Sequence, residues 1–511
     1  MTSTFSLEDI KDFAPEKPLI RNAVRTDGYR GIWFTLGFKF EYGDKYSGGL
    51  GTYTSNHQPM AEYAPAVKRT FFTYGGTTGS DKRELVIMVS FYDHGTQKVP
   101  QPVALYLDPS VDDPHDNAAL RLDEAGHVWV FKSGRGTKRP GLIFRSTQPY
   151  SVDAWELISA HEFTYPQIWK RWKKTGTSDV SEAGDPGFFL LLTQYTNQQG
   201  KGPARNLFWQ KSSGNGRTWE KPTRLASFGG HYQTSGQWTE RDAAGKPTGR
   251  SKVCTFFNYH PGSDVDKRTN LYFAQTMDEG STWTTACGQP LELPLLEPLN
   301  DALVMHYQAQ DKCMYTCDVN FDKHGNPLLL CIVSRKGEPG PAGDPREWTL
   351  LNWCPETVGQ PGGGWKSQAI TTSDHNYDMG SLYVNGDEWR IIGPTEKSPQ
   401  RWGTGGEMAM WVSTASDAQG NRTWRRERQL TGSAGAEGTE SAEKPSEFNH
   451  SYARRPQGVE ASSPFFAFWA DGHPEKMSES RLYFTDSAGT KVRRLPYNMT
   501  TESAEPEAYR G

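Results

Sequence analysis

Histidine, tyrosine and arginine recur in this chain at the ends of short apolar runs, where a strand would give way to a connection. His and Tyr transfer protons, and Arg binds a carboxylate through paired hydrogen bonds. One such residue is more often structural, but a set on one face predicts a polar funnel that suits a sugar. The set comprises His115, Tyr165, His231, Tyr232, His375, Tyr377, His450 and Tyr452 before predicted first strands, Arg135, Tyr195, Tyr259, His260 and Arg335 after second strands, and Arg205 and Arg268 before third strands.

Carboxylates are scarce beside this set: Asp116, Asp374 and Asp378 are near it, each within two residues of a His or an Asn. A standard glycosidase needs two carboxylates that flank the scissile bond, and no such pair stands out. Elimination beside a uronic acid needs other groups. A base removes the C5 proton, a cation neutralises the carboxylate, and the leaving oxygen receives a proton. The residue types therefore favour β-elimination.

Seven apolar runs supply the elements that would position these side chains. Successive runs are 57 to 76 residues apart, which is typical of propeller blades, so the sequence predicts an all-β, seven-bladed β-propeller. In each blade the start of the first strand, the end of the second and the start of the third share one face, here called the anterior face; the opposite end is the posterior face. The runs are anchored at Phe71, Val128, Phe188, Val253, Leu328, Trp389 and Phe465, all expected on second strands.

Three Gly-containing turns support the same fold. They begin at Ser212, Thr276 and Ser416, and each ends in Thr-Trp. They are similar to the Asp-box hairpins of sialidase-type propellers, in which the Gly permits a positive φ. An Asp box indicates a fold and carries no catalytic weight.

Length and charge narrow the function classes. We expect an N-terminal extension over 1–27, one propeller over 28–500 and a C-terminal tail over 501–511. A net charge of −4 with no Lys/Arg block, and no apolar run of membrane-spanning length, argue against nucleic-acid and membrane partners. The first twenty residues show no signal peptide. We therefore expect a monomer that is either cytoplasmic or secreted with its leader already removed.

All six cysteines lie between Cys254 and Cys354. Cys254 and Cys331 fall inside apolar runs, where a thiol behaves as a small hydrophobe. Cys313 and Cys317 are too isolated to predict a zinc site. We expect structural thiols, with disulfides left open if the protein is secreted, and no required cofactor; a structural Ca²⁺ in the channel is compatible with the sequence.

Several segments resemble the BNR-4 repeat proteins, and among them the propellers that release L-rhamnose from α-1,4-linked D-glucuronate in gum arabic and arabinogalactan side chains. The resemblance spans Gly28 to Tyr497 and implies a uronic-acid-containing glycan as substrate. That group contains both lyases that act on the anterior face and rhamnosidases that use a posterior histidine. The segments are "GIWFTLG", "YSGGLGTYTSNHQPMAEYAP", "TFFTYGG", "DDPHDNAAL", "FNYHP", "HNYDMGSLY" and "NHSYARRP".

The resemblance also implies roles for particular residues. His115 of "DDPHDN" matches the family's catalytic histidine, and Tyr165 of "TYPQ" and Arg205 before "NLFW" complete the expected catalytic set. Ulvan lyases, more distant relatives, carry a second histidine about where this chain has Arg135. The expected substrate-binding residues are Arg268, His231, Tyr232, Tyr259, Arg135, Arg335, His375 and Arg454.

Two further histidines, His57 and His94, bear on whether the protein is a lyase or a hydrolase. His57 lies where the rhamnosidase histidine should fall, in a register against Gln58 that the sequence leaves open. His94 falls on the posterior face in the predicted topology and is expected to be structural. A lyase is the first interpretation; a rhamnosyl-glucuronate hydrolase and a non-catalytic glycan-binding propeller remain as alternatives.

Overall fold

The computed structural model describes residues 24–108, 110–137, 139–172, 186–198, 201–340, 345–359, 363–397, 399–414, 422–432 and 447–509. These residues form seven antiparallel meanders arranged as a β-propeller, which confirms the predicted fold class. Most of the predicted N-terminal extension (1–23), and the beginning of the third Asp-box turn at Ser416, lie outside the described residues.

Each blade contains four main strands. In chain order they are Ala61–Ala64, Arg69–Gly76, Leu85–Asp93 and Val103–Asp108 (blade 1); Ala118–Leu122, Val128–Lys132, Gly141–Ser146 and Trp155–His161 (blade 2); Thr164–Lys170, Phe188–Gln198, Lys201–Ser213 and Thr223–Ala226 (blade 3); Gln233–Arg241, Pro247–Tyr259, Thr269–Thr276 and Leu303–Met305 (blade 4); Cys313–Phe321, Pro327–Ser334, Arg346–Trp353 and Trp365–Ser373 (blade 5); Ser381–Asn385, Glu388–Glu396, Glu407–Ser413 and Arg425–Gln429 (blade 6); and Asn449–Arg454, Ala467–Gly472, Leu482–Thr485 and Val492–Arg494 (blade 7).

Short strands and turns complete the described chain. The pairs are Val24–Arg25 with blade 1, Glu507–Ala508 with blade 7, Ser503–Ala504 with Val99–Pro100, Thr218–Trp219 with blade 3, Trp33–Thr35 with Ser47–Gly49, and Lys39–Phe40 with Gly43–Asp44. The 3-10 turns are Pro114–Asp116, Pro261–Ser263, Gln308–Gln310 and Pro355–Thr357. Among the described residues no helix is long and apolar enough to span a membrane.

The apolar runs mark the second strands because these strands are buried on both faces between neighbouring blades. All seven anchors are buried, and six lie on second strands as predicted. The prediction for the seventh anchor, Phe465, is wrong, because this residue precedes the strand Ala467–Gly472 by two residues. The backbone N–H of Phe466 still donates to Thr485 O (2.7 Å), so hydrogen bonding to the third strand begins just before the assigned strand.

Aromatic packing closes the ring between the last blade and the first. Phe72 of blade 1 stacks on Phe465 beside blade 7, with ring centroids 5.4 Å apart. Both side chains are fully buried, and burying one phenylalanine contributes about 1.5–3 kcal/mol. Closure therefore depends on packing between blades.

Residues 50–59, which we call the axial segment, run through the centre of the propeller. All ten residues are buried. Because this short segment touches five blades or the turns before them, it lies at the axis of the propeller. Its hydrogen bonds join Ser55 Oγ to Thr316 O (2.8 Å), Asn56 Nδ2 to Gln233 O (2.5 Å), His57 Nε2 to His115 O (3.1 Å), Gln58 N to Pro166 O (3.1 Å) and Arg454 Nη1 to Thr54 O (2.8 Å).

All six cysteines lie within the described residues, and none of them forms a disulfide. Cys254 and Cys331 are fully buried in the apolar packing of blades 4 and 5. Burial raises the pKa of Cys254 to about 12, which leaves its thiol protonated and unreactive.

Candidate active site

Side chains from blades 2, 3 and 4 meet on the anterior face. The His115 and Tyr165 ring centroids are 6.1 Å apart, and the Arg205 guanidinium carbon lies 5.3 Å from the Tyr165 ring. Tyr232 lies between the two arginines, its ring 4.6 Å from the Arg205 carbon and 4.5 Å from the Arg268 carbon. We call these five residues the anterior cluster.

A β-bulge aims Tyr165 into the cluster. Tyr165 follows Thr164 at the start of blade 3, where the register shifts before Gln167, and its φ is +55°. A one-residue slip sends a side chain to the opposite side of a strand, and bulges re-aim side chains in this way. A non-glycine residue in the left-handed region costs about 1–3 kcal/mol and occurs most often at functional sites.

His115 is held in one tautomer by a carboxylate on one side and two hydroxyls on the other. It lies in the 3-10 turn Pro114–Asp116, and its Nδ1–H donates to Asp113 Oδ1. Its Nε2 is 2.9 Å from the hydroxyl oxygens of both Tyr46 and Tyr53. Burial lowers the pKa of His115 to about 4, despite the opposing Asp113 carboxylate. The imidazole is therefore neutral near pH 7, with a lone pair on Nε2.

The carboxylates around the cluster are already paired with cations. Burial opposes ionisation of Asp113, but His115 and Arg135 together hold its pKa below the usual range. Asp113 also accepts from Arg139 (2.9 Å), and Asp116 accepts from Lys132 (2.6 Å). These groups can orient and balance charge, but they are committed to ion pairs.

The two arginines are held by tyrosine hydroxyls. Arg205 Nη2 donates to Tyr195 Oη (2.9 Å), and Arg268 Nη2 donates to Tyr377 Oη (2.6 Å). Burial opposes ionisation of Tyr232, but Arg205 and Arg268 outweigh it and lower the pKa of Tyr232 to about 8. Positive charge therefore dominates this part of the cluster.

Several buried polar atoms here have no hydrogen-bond partner among the described residues. They are Tyr165 Oη, Arg205 Nη1, Arg135 Nη1 and Tyr452 Oη. An unsatisfied buried donor costs about 1–3 kcal/mol, and each one in a native structure calls for an explanation. A polar, anionic ligand at the cluster would supply the missing partners.

Three of the expected substrate-binding residues make hydrogen bonds to backbone atoms. Both ring nitrogens of His231 contact backbone, Asn258 O at 2.8 Å and Phe228 N at 3.4 Å. His375 Nε2 likewise donates to Asp44 O (3.2 Å). Arg454 donates to the carbonyl oxygens of the axial segment. The backbone engages the polar atoms of these three side chains, and their contact with a substrate stays a prediction.

The other predicted residues occupy different surroundings. Tyr259 is half-buried against Phe228, with ring centroids 5.5 Å apart, and Arg335 is exposed at the rim of the anterior face. His94 Nε2 and Thr70 Oγ1 share a hydrogen bond (2.8 Å) near the posterior end of blade 1. His57 belongs to the axial segment and is fully buried.

Sequence reasoning missed the two hydroxyls that contact His115. Tyr46 and Tyr53 precede the first blade and lie in no predicted strand, so strand position gave no reason to choose them. Asp113 could have been found, because an Asp two residues before a buried His in a Pro-containing turn is typical of a side-chain cap. In the described ranges no three His, Cys, Asp or Glu side chains group as a metal site would require.

No protein-family model matches the sequence, and no curated protein matches it. Among solved structures, a polysaccharide lyase PL25 ulvan lyase is similar at a TM-score of 0.59 and 14% identity, covering 91% of this chain and 96% of that chain. The ulvan lyase bound to -[GlcA(1-4)Rha3S]- gives a TM-score of 0.60 with the same identity and coverage. An α-L-arabinanase of Penicillium chrysogenum, with arabinobiose, reaches only 0.36 at 9% identity over 72% of this chain and 92% of that chain. At these identities the chain shares the propeller fold with the lyases.

Proposed function

We propose that this protein is a polysaccharide lyase that cleaves the α-1,4 bond between L-rhamnose and D-glucuronate by β-elimination. It would release rhamnose from capped side chains of gum arabic or arabinogalactan-type glycans. The observation that carries the proposal is the meeting of a neutral His115, an unpartnered Tyr165 hydroxyl and an unpartnered Arg205 N–H at one buried place. The sequence resemblance supplies the linkage, and the fold shared with an ulvan lyase is compatible with it.

Each group has a part in the elimination. Arg205 and Arg268 bind the glucuronate carboxylate, which makes the C5 proton more acidic. His115 Nε2 takes the C5 proton, the C4–O4 bond breaks, and its electrons leave on O4. Tyr165 donates a proton to O4, which departs as free rhamnose. In glucuronate H5 and O4 lie on the same side of the ring, so neighbouring groups such as these can serve both ends of the step.

Paired-acid hydrolysis fits the cluster poorly. Inverting and retaining glycosidases both need one carboxylate as an acid and another as a base or nucleophile. Asp113 and Asp116 are instead ion-paired with Arg139. The posterior alternative also loses support, because both nitrogens of His57 contact backbone atoms.

Product analysis on a rhamnose-capped glucuronate oligosaccharide tests the proposal. Elimination gives free rhamnose and a 4,5-unsaturated uronate, which absorbs in the ultraviolet and is one water lighter than the hydrolytic product. The His115→Gln variant serves as the inactive control. A saturated glucuronate product would show hydrolysis, and binding without any product would show a glycan-binding propeller; either result overturns the lyase.

A further inference from the structure

A hairpin before the first blade exposes apolar side chains at closely spaced positions. Leu36, Phe38 and Tyr42 are 41%, 52% and 36% exposed, although most large hydrophobic residues of the described chain are buried. The strands Lys39–Phe40 and Gly43–Asp44 pair and fix this hairpin. Exposed apolar side chains grouped on one short element make a candidate binding surface, and aromatic rings contribute large contact areas to such a surface.

The hairpin lies across the anterior face over blades 5 and 6. The Tyr42 ring packs edge-on against Trp402, in the second-to-third strand connection of blade 6, with centroids 5.1 Å apart. It also lies against Gly340 in the equivalent connection of blade 5. Gly340 has φ +135°, and a Cβ there would be 2.4 Å from the Tyr42 ring. The aromatic surface is therefore on the same face as the anterior cluster.

The base of the hairpin is joined to the cluster. Lys45 forms an ion pair with Asp266, two residues before Arg268, and its Nζ lies 5.6 Å from the Phe38 ring centroid. Tyr46, the next residue, contacts His115 Nε2 through its hydroxyl. One continuous stretch thus carries both the exposed ring of Phe38 and a contact to the candidate catalytic histidine.

A cavity of about 260 Å³ lies between the hairpin and blade 5. Phe40, Glu41 and Tyr42 form one wall, and Lys336, Glu338 and Pro339 contribute to the other. A pocket that combines aromatic faces with a few charged groups of both signs suits a sugar, whose ring has apolar faces and a polar edge.

We propose that this hairpin is a second sugar-binding surface, which holds sugar residues beyond the two that flank the cleaved bond. The inference rests on the proposed function and adds to it. The preferred substrate is then a branch of three or more sugars, and the rhamnose-glucuronate disaccharide is a poor one.

The inference is tested by comparing a short and a long substrate on the Phe38→Ala and Tyr42→Ala variants. The probes are a rhamnose-glucuronate disaccharide glycoside and the rhamnose-capped side-chain oligosaccharide of gum arabic. We expect kcat/KM on the oligosaccharide to fall about tenfold, as suits the loss of an aromatic contact, with the value on the disaccharide unchanged. Equal losses on both probes, or no loss on either, would overturn the inference.

A matched control and a binding measurement separate this inference from the proposed function. Leu299→Ala removes a side chain that is 68% exposed, in the third-to-fourth strand connection of blade 4, and should change neither substrate's kinetics. Calorimetric titration of the oligosaccharide into His115→Gln protein, with and without Phe38→Ala, reports binding even if no lyase activity exists. A weaker affinity in the double variant supports the inference on its own, and an equal affinity contradicts it.

Discussion

His57 and His115 touch, yet their surroundings differ. Both are buried, and burial lowers the pKa of His57 to about 3 and that of His115 to about 4. Thr54 N–H donates to His57 Nδ1 (3.2 Å), while His57 Nε2–H donates to His115 O (3.1 Å). The Nε2 atom of His115 instead meets the hydroxyls of Tyr46 and Tyr53. A depressed pKa therefore does not identify a reactive histidine; the atoms that its nitrogens contact do.

Replacing each histidine in turn by glutamine tests this difference. The substitution at His115 should have the larger effect on rate. His115→Gln should lower rhamnose release by about two to four orders of magnitude, because the amide cannot accept the C5 proton. Its melting temperature should stay close to that of the wild type, since Gln can still hydrogen-bond to the tyrosine hydroxyls. Initial rates and thermal melts check both statements. A variant that keeps more than about a tenth of the activity would remove His115 from the reaction.

Arg205 comes next in expected effect. Arg205→Ala should reduce kcat by about 10²–10³-fold, as for the loss of one preorganised electrostatic group. Arg205→Lys should recover only part of the rate, because an ammonium cannot bind a carboxylate through two parallel hydrogen bonds. Steady-state kinetics on a capped oligosaccharide gives both values. Full recovery by lysine would show that only charge matters at this position.

The pH profile sharpens the contrast within the anterior cluster. We expect kcat/KM to rise with pH through about 4, as His115 loses its proton, and to fall through about 8, as Tyr232 ionises and competes for Arg205. Tyr232→Phe should retain most activity near pH 7 and move the alkaline limb to higher pH. If kcat/KM of the Tyr232→Phe variant still falls through about pH 8, another group causes the alkaline loss of activity.

His57→Gln should have the smallest effect on rate. Activity per folded molecule should remain within about tenfold of the wild type, because the ring nitrogens of His57 contact backbone atoms and His57 is not part of the anterior cluster. The free energy of unfolding should fall by about 1–3 kcal/mol, the cost of disturbed buried hydrogen bonds, which urea denaturation measures. If rhamnose release is lost here and kept in His115→Gln, the protein works from its posterior face.

The seven blades were predictable because second strands are buried on both sides and therefore appear as continuous apolar runs. The error at Phe465 is a matter of strand ends, where hydrogen bonding continues past the assigned strand. Strand order also predicted that His115, Tyr165, Arg205 and Arg268 share a face. In an antiparallel meander the starts of the first and third strands lie at the same end of the blade, and these four residues occupy such positions.

The rest of the cluster depends on contacts between parts of the chain far apart in sequence. Tyr46 and Tyr53 reach His115 from a stretch without strand periodicity, 69 and 62 positions earlier. The burial of His57 likewise depends on the distant blades that enclose the axial segment. The backbone contacts of His231 and His375 were equally hidden from the sequence: both positions match the pattern of the anterior face, and nearby backbone atoms engage both ring nitrogens of each.

The axial segment also constrains how the chain can fold. The carbonyl oxygen of Thr54 accepts a hydrogen bond from Arg454, which lies 400 positions later in the chain. Contacts of such sequence separation slow folding, because loop-closure entropy is lost before the contacts form. We expect the segment to be enclosed only when blade 7 docks on blade 1, so that the last step of folding buries a segment that precedes all seven blades in the chain. Until that step, the segment would stay exposed to solvent.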